Sequence, residues 1–511
     1  MSDRHQRHVP LAAQLTGEDE KTVANKFLTQ RILLTGDSAR AAMPMGKVML
    51  FTAANLIARF CPKIDLHIDG STAAELLLFL ERIDRSPVAE FRAVTRVQRD
   101  SYAAVLSVGD PPFSCPDAIR IDGVGWLAYL SIGTNPSAAI ANEDSNPFGP
   151  LMSVALGVSE VFKYLLQPVR EKASYLGNTS FSVFDFSVGG NNIGPSLPAD
   201  IALPPTLLAG VGAVGNAFLL TLSNVRGVGG SIVTVDSQYL DDGSNLNRYS
   251  LAFEEEIDVA RPMPKVDLAR RLFAGTKVQI LPFAEEIGAA LQRIYRQDLP
   301  RPHAVLSAVD NNETREVLQK LWPNILIEGA TDQTTSEVSR HEFNKGLACL
   351  MCIHRSRTSA ASNAEPYEKL MSRLSGLSER RIGIAEKEGS AAISEEDVRA
   401  APSDKSEYLA QRVGQPICSV LTEIERISTR PRDVLPVRPS VSFVSMTSGI
   451  LLAAEYVKYA IGLKSALETF FQVDLMFPLE NAFLQPVEKV DGCYCVERSK
   501  EILLYRKEVG P

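Results

Sequence analysis

The sequence predicts an α/β protein of two similar units, each with a parallel sheet and helices between its strands. Three observations support this. Short apolar runs alternate with amphipathic helical patterns, the pattern occurs twice, and its second copy carries a glycine-rich strand-to-helix turn. With 511 residues, the chain can form two or more domains that each bury a core.

The overall composition narrows the class of protein. The net charge is −8, which argues against a surface that coats nucleic acid. No uninterrupted apolar run of about 18 residues occurs, and residues 1–14 lack the apolar core of a signal peptide. We therefore expect a cytoplasmic protein with no nucleic-acid or membrane partner.

The first predicted domain covers residues 1–190 and follows the α/β pattern. Helices are predicted where apolar residues recur at helical spacing, and strands where apolar runs are short. The predicted strands of this domain are 31–36, 64–70, 103–110 and 125–132, and its predicted helices are 46–60 and 146–166.

The second predicted domain covers residues 191–354 and 436–511, on either side of an insertion. Residues 355–435 form this insertion, because they are rich in Ser, Ala and charged residues and contain a capped helix start at 394–401. The predictions for the second domain are strands at 206–212, 230–236, 277–283, 304–310 and 324–330, and helices at 215–225, 265–274 and 440–462.

Two pairs of segments match between the halves, in the same order. AVLSVGD at 104–110 corresponds to AVLSAVD at 304–310, and the long apolar helix at 146–166 corresponds to 440–462. We interpret these matches as an internal duplication of one fold. The alternative is chance similarity between segments of α/β proteins.

The glycine-rich turn of the second domain predicts a nucleotide site. Gly210, Gly212 and Gly215 would let backbone amides approach a phosphate at the N-terminus of the next helix. Asp236 ends the following strand, where a carboxylate can accept hydrogen bonds from ribose hydroxyls. These features alone permit NAD as well as ATP.

The segment after Asp236 favours ATP. It contains Ser-Asn-Leu-Asn-Arg at 244–248, and here the sequence resembles the ThiF/MoeB and ubiquitin-activating enzyme family. The resemblance extends over residues 200–352 and 440–500. It implies a Rossmann-like adenylation domain that binds ATP and Mg²⁺.

Further positions match the ATP site of that family. In the family, the Asn and Arg of this segment and a later Lys contact the phosphates, while an Asp followed by Asn and Arg handles magnesium and the reacting phosphate. The corresponding residues here are Asn245, Arg248, Lys265, Asp310, Asn311 and Arg315. Such a cluster suits attack of a carboxylate on the α-phosphate, which builds charge on phosphate oxygens. The alternatives are solvated surface charges and, for Asp310, a helix cap.

Four of the seven cysteines form two close pairs, Cys349 with Cys352 and Cys493 with Cys495. Two such pairs can together supply the four thiolates of a tetrahedral Zn²⁺ site. The family carries a structural zinc at matching places, usually with Cys-x-x-Cys in both pairs, so the Cys-x-Cys pair is a departure. The alternative is four free thiols. His354 is expected at the surface rather than as a further ligand.

Cys418 stands apart, just before a helical pattern in the insertion. The positive end of a helix favours the thiolate form of a cysteine. Ubiquitin-activating enzymes carry their catalytic cysteine in Pro-x-Cys-Thr, and residues 416–419 read Pro-Ile-Cys-Ser. The resemblance therefore implies that Cys418 forms a thioester; the alternative is an incidental half-buried thiol. Cys61 and Cys115 are expected to be structural.

The first half lacks a comparable nucleotide site. Its expected turn, near residue 36, has one glycine where the second half has three, and Asp37 would repel a phosphate. The resemblance therefore implies a pseudo-dimer of an inactive and an active adenylation domain. Sites of this family also borrow an Arg from the N-terminal segment of the partner. Arg7 and Arg31 are candidates for that Arg, and ordinary surface arginines are the alternative.

The resemblance implies an enzyme that uses ATP to adenylate the C-terminal Gly of a ubiquitin-like protein. It would then form a thioester at Cys418 and pass the carrier to a conjugating enzyme. It is closest to bacterial activators with fused inactive and active domains, and we expect a monomer or homodimer. Within the family, the alternative is an activator of a sulfur-carrier protein. Alternatives from other classes are an NAD-dependent oxidoreductase and a catalytically inert scaffold.

Overall fold

The chain divides into two compact units in this computed structural model, Met1–His354 with Pro439–Pro511 and Arg355–Arg438. The structure describes residues 8–133, 146–169, 172–240, 245–258, 260–343, 346–354, 367–388, 391–415, 417, 420–421 and 441–508.

The first sheet of the larger unit has seven strands. In chain order they are β1 (Ile32–Gly36), β2 (Lys63–His67), β3 (Glu90–Ala93), β4 (Ala104–Val108), β5 (Ile119–Val124), β6 (Leu127–Ile132) and β7 (Thr179–Ser182). Their spatial order is β3-β2-β1-β4-β5-β6-β7. The strands are parallel from β3 to β5, and β6 and β7 continue the sheet in antiparallel pairing.

The second sheet of this unit repeats that plan. The remaining strands are β8 (Ile201–Ala202), β9 (Thr206–Ala209), β10 (Val228–Val235), β11 (Tyr239–Leu240), β12 (Met263–Pro264), β13 (Val278–Phe283), β14 (Ala304–Ser307), β15 (Ile325–Asp332), β16 (Thr335–His341), β17 (Phe470–Asp474) and β18 (Phe483–Gln485). The main order is β13-β10-β9-β14-β15-β16-β17-β18, while β8 pairs with β10, and β11 pairs with β12 separately. In this spatial order, the run β13-β10-β9-β14-β15 is parallel, and β16, β17 and β18 continue the sheet in antiparallel pairing.

The two sheets therefore share one topology. The parallel part is β3-β2-β1-β4-β5 in the first sheet and β13-β10-β9-β14-β15 in the second, and an antiparallel extension follows in each. The equivalent residues also occupy equivalent registers. Ile32 pairs with Ile64 and Ala104, and Thr206 pairs with Ile232 and Ala304. The predicted α/β class with parallel sheets is confirmed.

Helices cover the sheets. In the larger unit they are α1 (Val9–Thr16), α2 (Glu20–Thr29), α3 (Ser38–Ala42), α4 (Pro44–Ala58), α5 (Gly70–Ile83), α6 (Phe148–Leu166), α7 (Ala213–Ser223), α8 (Val266–Leu272), α9 (Ile287–Tyr295) and α10 (Asn312–Gln319). The smaller unit contains α11 (Tyr367–Ser375), α12 (Glu379–Glu388), α13 (Glu395–Ala400) and α14 (Ser403–Ala410). The larger unit resumes with α15 (Ser442–Ala460), α16 (Tyr494–Glu497) and α17 (Ser499–Glu508).

Helix α6 is mostly apolar and is surrounded by other elements, so that nearly all of its residues are buried. Its length and composition would suit a membrane span, but 94% of its most apolar 18-residue stretch is buried inside the protein. It packs against α15, and the rings of Phe162 and Phe443 lie 5.4 Å apart between their centroids. The two helices thus join the cores of both sheets into one.

Each of these two helices also buries an ion pair. The pairs are Glu160–Lys163 and Glu455–Lys458. Lys163 donates from Nζ to the carbonyl of Leu475, directly after β17, at 3.2 Å. Lys458 donates from Nζ to the carbonyl of Val183, directly after β7, at 2.8 Å. Each half therefore anchors its central lysine in the other half.

The smaller unit has its own apolar core. The core residues of its described part include Met371, Leu377, Ile382, Leu409 and Ile417. Ser394 caps α13, since its hydroxyl accepts from the amide of Asp397 at 3.2 Å and the Asp397 carboxylate accepts from the Ser394 amide at 2.9 Å. The predicted helix start at this serine is confirmed.

Candidate active site

The glycine turn between β9 and α7 is shaped by close backbone approach. Gly210 has a φ of +89°, and a Cβ on it would lie 2.5 Å from the carbonyl oxygen of Ala308. A Cβ on Gly215 would lie 2.2 Å from the carbonyl oxygen of Gly210. At Gly212, the nearest atom to an added Cβ is the Tyr249 hydroxyl at 3.7 Å. The turn is therefore closed toward the sheet and open at Gly212, as a phosphate cradle requires.

Asp236 follows β10 and links the glycine turn to the turn that comes after β10. Its carboxylate accepts from the amide of Val211 at 2.7 Å and from the amide of Gln238 at 2.9 Å. Burial raises the pKa of Asp236, and the charge of Lys265 opposes that rise. The charge of Asp310 raises the pKa further. These three predicted residues therefore share one electrostatic site at the carboxyl ends of parallel strands, where α/β folds bind ligands.

Lys265 lies at the start of α8 and is only 3% exposed. Its Nζ donates to Oε1 of Gln238 at 2.5 Å and to the hydroxyl of Tyr249 at 2.9 Å. Arg248 stacks its guanidinium 5.3 Å from the Tyr249 ring centroid and donates to Oδ1 of Asn247 at 3.1 Å. Tyr249 thus contacts both predicted cations, and Asn245 lies buried in the same turn.

Asn216 completes the frame of this site, and the sequence analysis missed it. Its Nδ2 donates to the carbonyls of Val211 and Gly212 at 2.7 and 3.0 Å. Its Oδ1 accepts from the amide of Leu251 at 3.2 Å. Asn216 therefore joins the glycine turn to the segment that carries Asn245 and Arg248. The available signal was a polar amide inside an otherwise apolar helix, directly after Gly215.

Asp310 and Asn311 follow β14. Asp310 is exposed, and its Oδ1 accepts from Nδ2 of Asn311 at 3.3 Å. Asn311 caps α10, because its side chain accepts from the amide of Thr314 at 2.8 Å. An exposed carboxylate at this position fits the hard oxygen ligands that Mg²⁺ prefers.

Arg315 and His354 both bind one buried acid beneath this turn. Arg315 Nε donates to Oε1 of Glu328 at 2.5 Å, and His354 Nε2 lies 2.6 Å from Oε2 of Glu328. Burial would raise the pKa of Glu328, but the His354 hydrogen bond and the Arg315 charge outweigh it and lower that pKa to about 2. The expectation of a surface His354 is wrong, because Glu328 draws the ring into the interior.

The first half fills the region where a second turn would stand. Asp37 caps the short helix α3 by accepting from the amide of Arg40 at 2.8 Å. Arg40 is buried and donates from Nε to Asp122 at 2.9 Å. The first half thus has a helix cap and an ion pair in the turn after β1, where the second half has its open glycine turn after β9.

Arg31, one of the two candidates for the borrowed arginine, forms ion pairs within the first sheet. Its guanidinium pairs with Asp65 at 2.6 Å and with Glu90 at 2.5 Å, both within the first sheet. Arg7 lies outside the described residues.

The two cysteine pairs come together. The Sγ atoms of Cys349 and Cys352 lie 3.7 Å apart, as do those of Cys349 and Cys493, and those of Cys352 and Cys495 lie 3.5 Å apart. Four thiolates around a Zn²⁺ ion at ~2.3 Å have sulfur–sulfur edges of about 3.8 Å. All four ligand atoms lie within 4.8 Å of one another and all four residues are buried, so the cluster fits a tetrahedral metal.

The predicted thioester residue, Cys418, lies outside the described residues, together with Pro416 and Ser419. Its neighbour Ile417 is fully buried in the core of the smaller unit and donates from its amide to the carbonyl of Ala391 at 2.8 Å.

The second half thus has the doubly wound fold, glycine turn and strand-end carboxylates of a nucleotide-binding α/β enzyme. Residues 193–494 match the ThiF family model, which is more than half of the chain, and the protein belongs to that family. Residues 31–175 match the BilD N-terminal domain, which belongs to bacterial ubiquitin-like conjugation systems. The predicted family is therefore confirmed.

A relative in Sinorhizobium fredii, named only as uncharacterized protein y4jF, is 24% identical over 492 residues. The alignment covers 94% of this chain and 92% of the relative. The family supports ATP-dependent activation by an adenylyltransferase-like domain, and it gives no support to the NAD-dependent alternative.

Proposed function

We propose that this protein activates a ubiquitin-like protein. It adenylates the C-terminal Gly carboxylate with ATP, forms a thioester at Cys418 and transfers the carrier to a conjugating enzyme. The observation that carries this proposal is the convergence of the open glycine turn, Asp236 and the buried Lys265 at one sheet edge. The BilD N-terminal match supports a ubiquitin-like carrier rather than a sulfur carrier.

The first step is attack on the α-phosphate. A carboxylate oxygen of the carrier forms a bond to the α-phosphorus, the bond to the β-phosphate oxygen breaks, and pyrophosphate leaves. Asp236 would bind the ribose, while Lys265 and Arg248 offset the charge that develops on phosphate oxygens. Asp310 would hold Mg²⁺, which supplies further neutralisation of the pyrophosphate.

The second step makes the thioester. The thiolate of Cys418 attacks the carbonyl carbon of the adenylated Gly, a carbon–sulfur bond forms, and AMP leaves. The thioester keeps the carrier's carboxyl group activated. A cysteine of a conjugating enzyme can then take over the carrier by thioester exchange.

The two halves would form a pseudo-dimer with one active site. Support comes from the shared strand order and from the reciprocal anchoring of Lys163 and Lys458. The first half would be the inactive domain, because the Arg40–Asp122 pair occupies its turn region. The cysteine cluster would hold a structural Zn²⁺ that ties residues 493–495 to residues 349–352. We further propose a cytoplasmic protein that acts as a monomer or homodimer.

The test combines pyrophosphate exchange with thioester detection. Purified protein is incubated with ATP, Mg²⁺ and candidate carriers that end in Gly, and exchange of labelled pyrophosphate into ATP reports adenylation. A thiol-sensitive adduct on a non-reducing gel reports the thioester. We expect Cys418→Ala to retain exchange and lose the adduct, and the matched control Cys115→Ala to retain both.

Three outcomes would change the conclusion. An adduct that persists in Cys418→Ala would remove the thioester assignment. Exchange that only sulfur-carrier proteins support, without any adduct, would favour the sulfur-carrier alternative. Protein that catalyses no exchange, and that is unaffected by Asp310→Ala in every assay, would be an inert scaffold.

A further inference from the structure

We propose that the first domain positions the ATP-binding segment of the second domain through two buried residues, Asn55 and Arg59. The segment concerned is residues 245–251, so the functional meaning of this inference rests on the proposed function. The first domain would thus hold the backbone of this segment in place, and Asn55 and Arg59 are positioning residues.

The contacts form a short chain across the two domains. Arg59 follows α4 and is fully buried, and its Nη1 donates to the carbonyl of Leu246 at 2.8 Å. Its Nε and Nη2 donate to Oδ1 of Asn55 at 3.0 and 2.8 Å. Asn55 Nδ2 then donates to the carbonyl of Ser250 at 2.8 Å. Two residues one helical turn apart thus hold the segment near both of its ends.

The orientation of the Asn55 amide follows from this chemistry. A guanidinium has only donors, so the atom of Asn55 that faces Arg59 must be the acceptor oxygen. The amide nitrogen is therefore directed at the carbonyl of Ser250. Arg59 determines the orientation of Asn55, and the two residues act as a unit.

The segment that carries these two anchor points, the carbonyls of Leu246 and Ser250, also carries residues assigned to the phosphates. Asn245 and Arg248 lie in the segment, and Tyr249 is the residue whose hydroxyl accepts from Nζ of Lys265. The amide of Tyr249 bonds to the carbonyl of Asn245 at 3.1 Å, so the segment forms one turn. Moving the backbone at Leu246 or Ser250 would therefore move the groups that meet the nucleotide, and misplacement of about 1 Å can cost about 100-fold in rate.

The position of α4 explains why the first domain can serve this role. In the second domain, helix α7 follows the glycine turn and presents its N-terminus to the site. In the first domain, α4 follows the turn region that contains Asp37 and Arg40, and Asn55 and Arg59 at its C-terminal end contact the other domain. The corresponding helices of the two domains thus use opposite ends: α7 faces the candidate site with its N-terminus, and α4 contacts residues 245–251 near its C-terminus.

The experiment compares Arg59→Met and Arg59→Lys with the control Arg40→Met. Arg40 is also a buried arginine of the first domain, but it donates to Asp122 and to the carbonyl of Gly123, which lie in that same domain. Pyrophosphate exchange gives KM for ATP and kcat, and hydrogen exchange of nucleotide-free protein reports the amides of residues 245–251. We expect Arg59→Met to raise KM for ATP about tenfold and to speed hydrogen exchange of the amides in residues 245–251. The reason is that the buried carbonyl of Leu246 loses its hydrogen-bond donor.

The other variants have distinct expected results. Arg59→Lys can still reach the Leu246 carbonyl with a single donor, so its KM should lie between those of wild type and Arg59→Met. Arg40→Met should leave both KM for ATP and the hydrogen exchange of residues 245–251 unchanged. If Arg59→Met does not fold, Asn55→Ala provides the same comparison, because it frees the Ser250 carbonyl.

Two results would overturn the inference. One is an Arg59→Met protein with wild-type KM and wild-type hydrogen exchange at 245–251. The other is an equal effect of Arg40→Met, which would show that any damage to the first domain has the same consequence. Failure of the proposed function is distinguishable: wild-type protein would then lack pyrophosphate exchange, while the hydrogen-exchange comparison would still decide on the positioning role.

Discussion

Lys458 offers a direct test of how the two halves of the larger unit hold together. It is fully buried, and its Nζ bonds to the carbonyl of Val183 at 2.8 Å and to Glu455 at 2.7 Å. Lys458→Met keeps the length of the side chain but leaves the buried Glu455 without this counter-charge. Breaking a buried pair costs about 3–5 kcal/mol. Because Glu455 keeps contacts with Arg340 at 3.2 Å and with Ser465 at 2.6 Å, we expect about 3 kcal/mol.

The assay is urea unfolding followed by circular dichroism, with the free energy taken by linear extrapolation. The double variant Glu455→Gln, Lys458→Met removes both charges and should recover part of the loss. Lys277→Met, which removes an exposed partner of Asp200, is the control and should cause no measurable change. A loss below about 1 kcal/mol for Lys458→Met, or an equal loss in the double variant, would refute this account of the buried pair.

Three further predictions concern the site, the metal and pH. Lys265→Met should lower kcat of pyrophosphate exchange about 100- to 1000-fold with an unchanged circular dichroism spectrum, because it removes a preorganised buried charge; a loss below about tenfold would place Lys265 away from the reacting phosphate. Elemental analysis should find about one zinc per chain, and Cys493→Ser should lower both the zinc content and the thermal midpoint; a metal-free and equally stable wild type would contradict this. The lowered pKa of Glu328 stabilises the fold above pH 4.5, and this contribution is lost as pH falls toward about 2. Thermal midpoints should therefore fall less steeply over this range in Glu328→Gln than in wild type, and parallel profiles would count against the prediction.

Local sequence patterns predicted most of the parallel strands but missed β3 and β5 of the first sheet. Of the antiparallel extensions they predicted β6 and missed β7, β16, β17 and β18. Strand β16 carries Glu337, Arg340 and His341, all of them buried. His341 is satisfied by the carbonyl of Ala348 at 2.8 Å, and Arg340 by Glu455. Strands are recognised in a sequence by their apolar residues, and these buried positions are polar because other segments supply their hydrogen-bond partners. This strand could therefore not be recognised from its own residues.

The candidate site divides in the same way. The glycine turn and Lys265 belong to short motifs, and the sequence therefore placed them correctly in relation to their strands and helices. Gln238 and Tyr249 became visible only as partners of Lys265. Arg59 is 187 residues from the carbonyl it binds, and in the sequence it resembles the polar end of an amphipathic helix. Contacts of such separation depend on how the two domains pack.

The crossed lysine contacts also bear on how the chain is made. Lys163 emerges from the ribosome 312 residues before Leu475, whose carbonyl accepts its hydrogen bond. At about 5–20 residues per second, synthesis of that stretch takes roughly 15–60 s. During this interval the nascent first domain contains α6, which is almost entirely buried in the complete fold, but lacks the segment after β17 that accepts the hydrogen bond of its lysine. It can complete its packing only after Leu475 has been synthesised, and we expect the exposed apolar surface of α6 to favour aggregation until then.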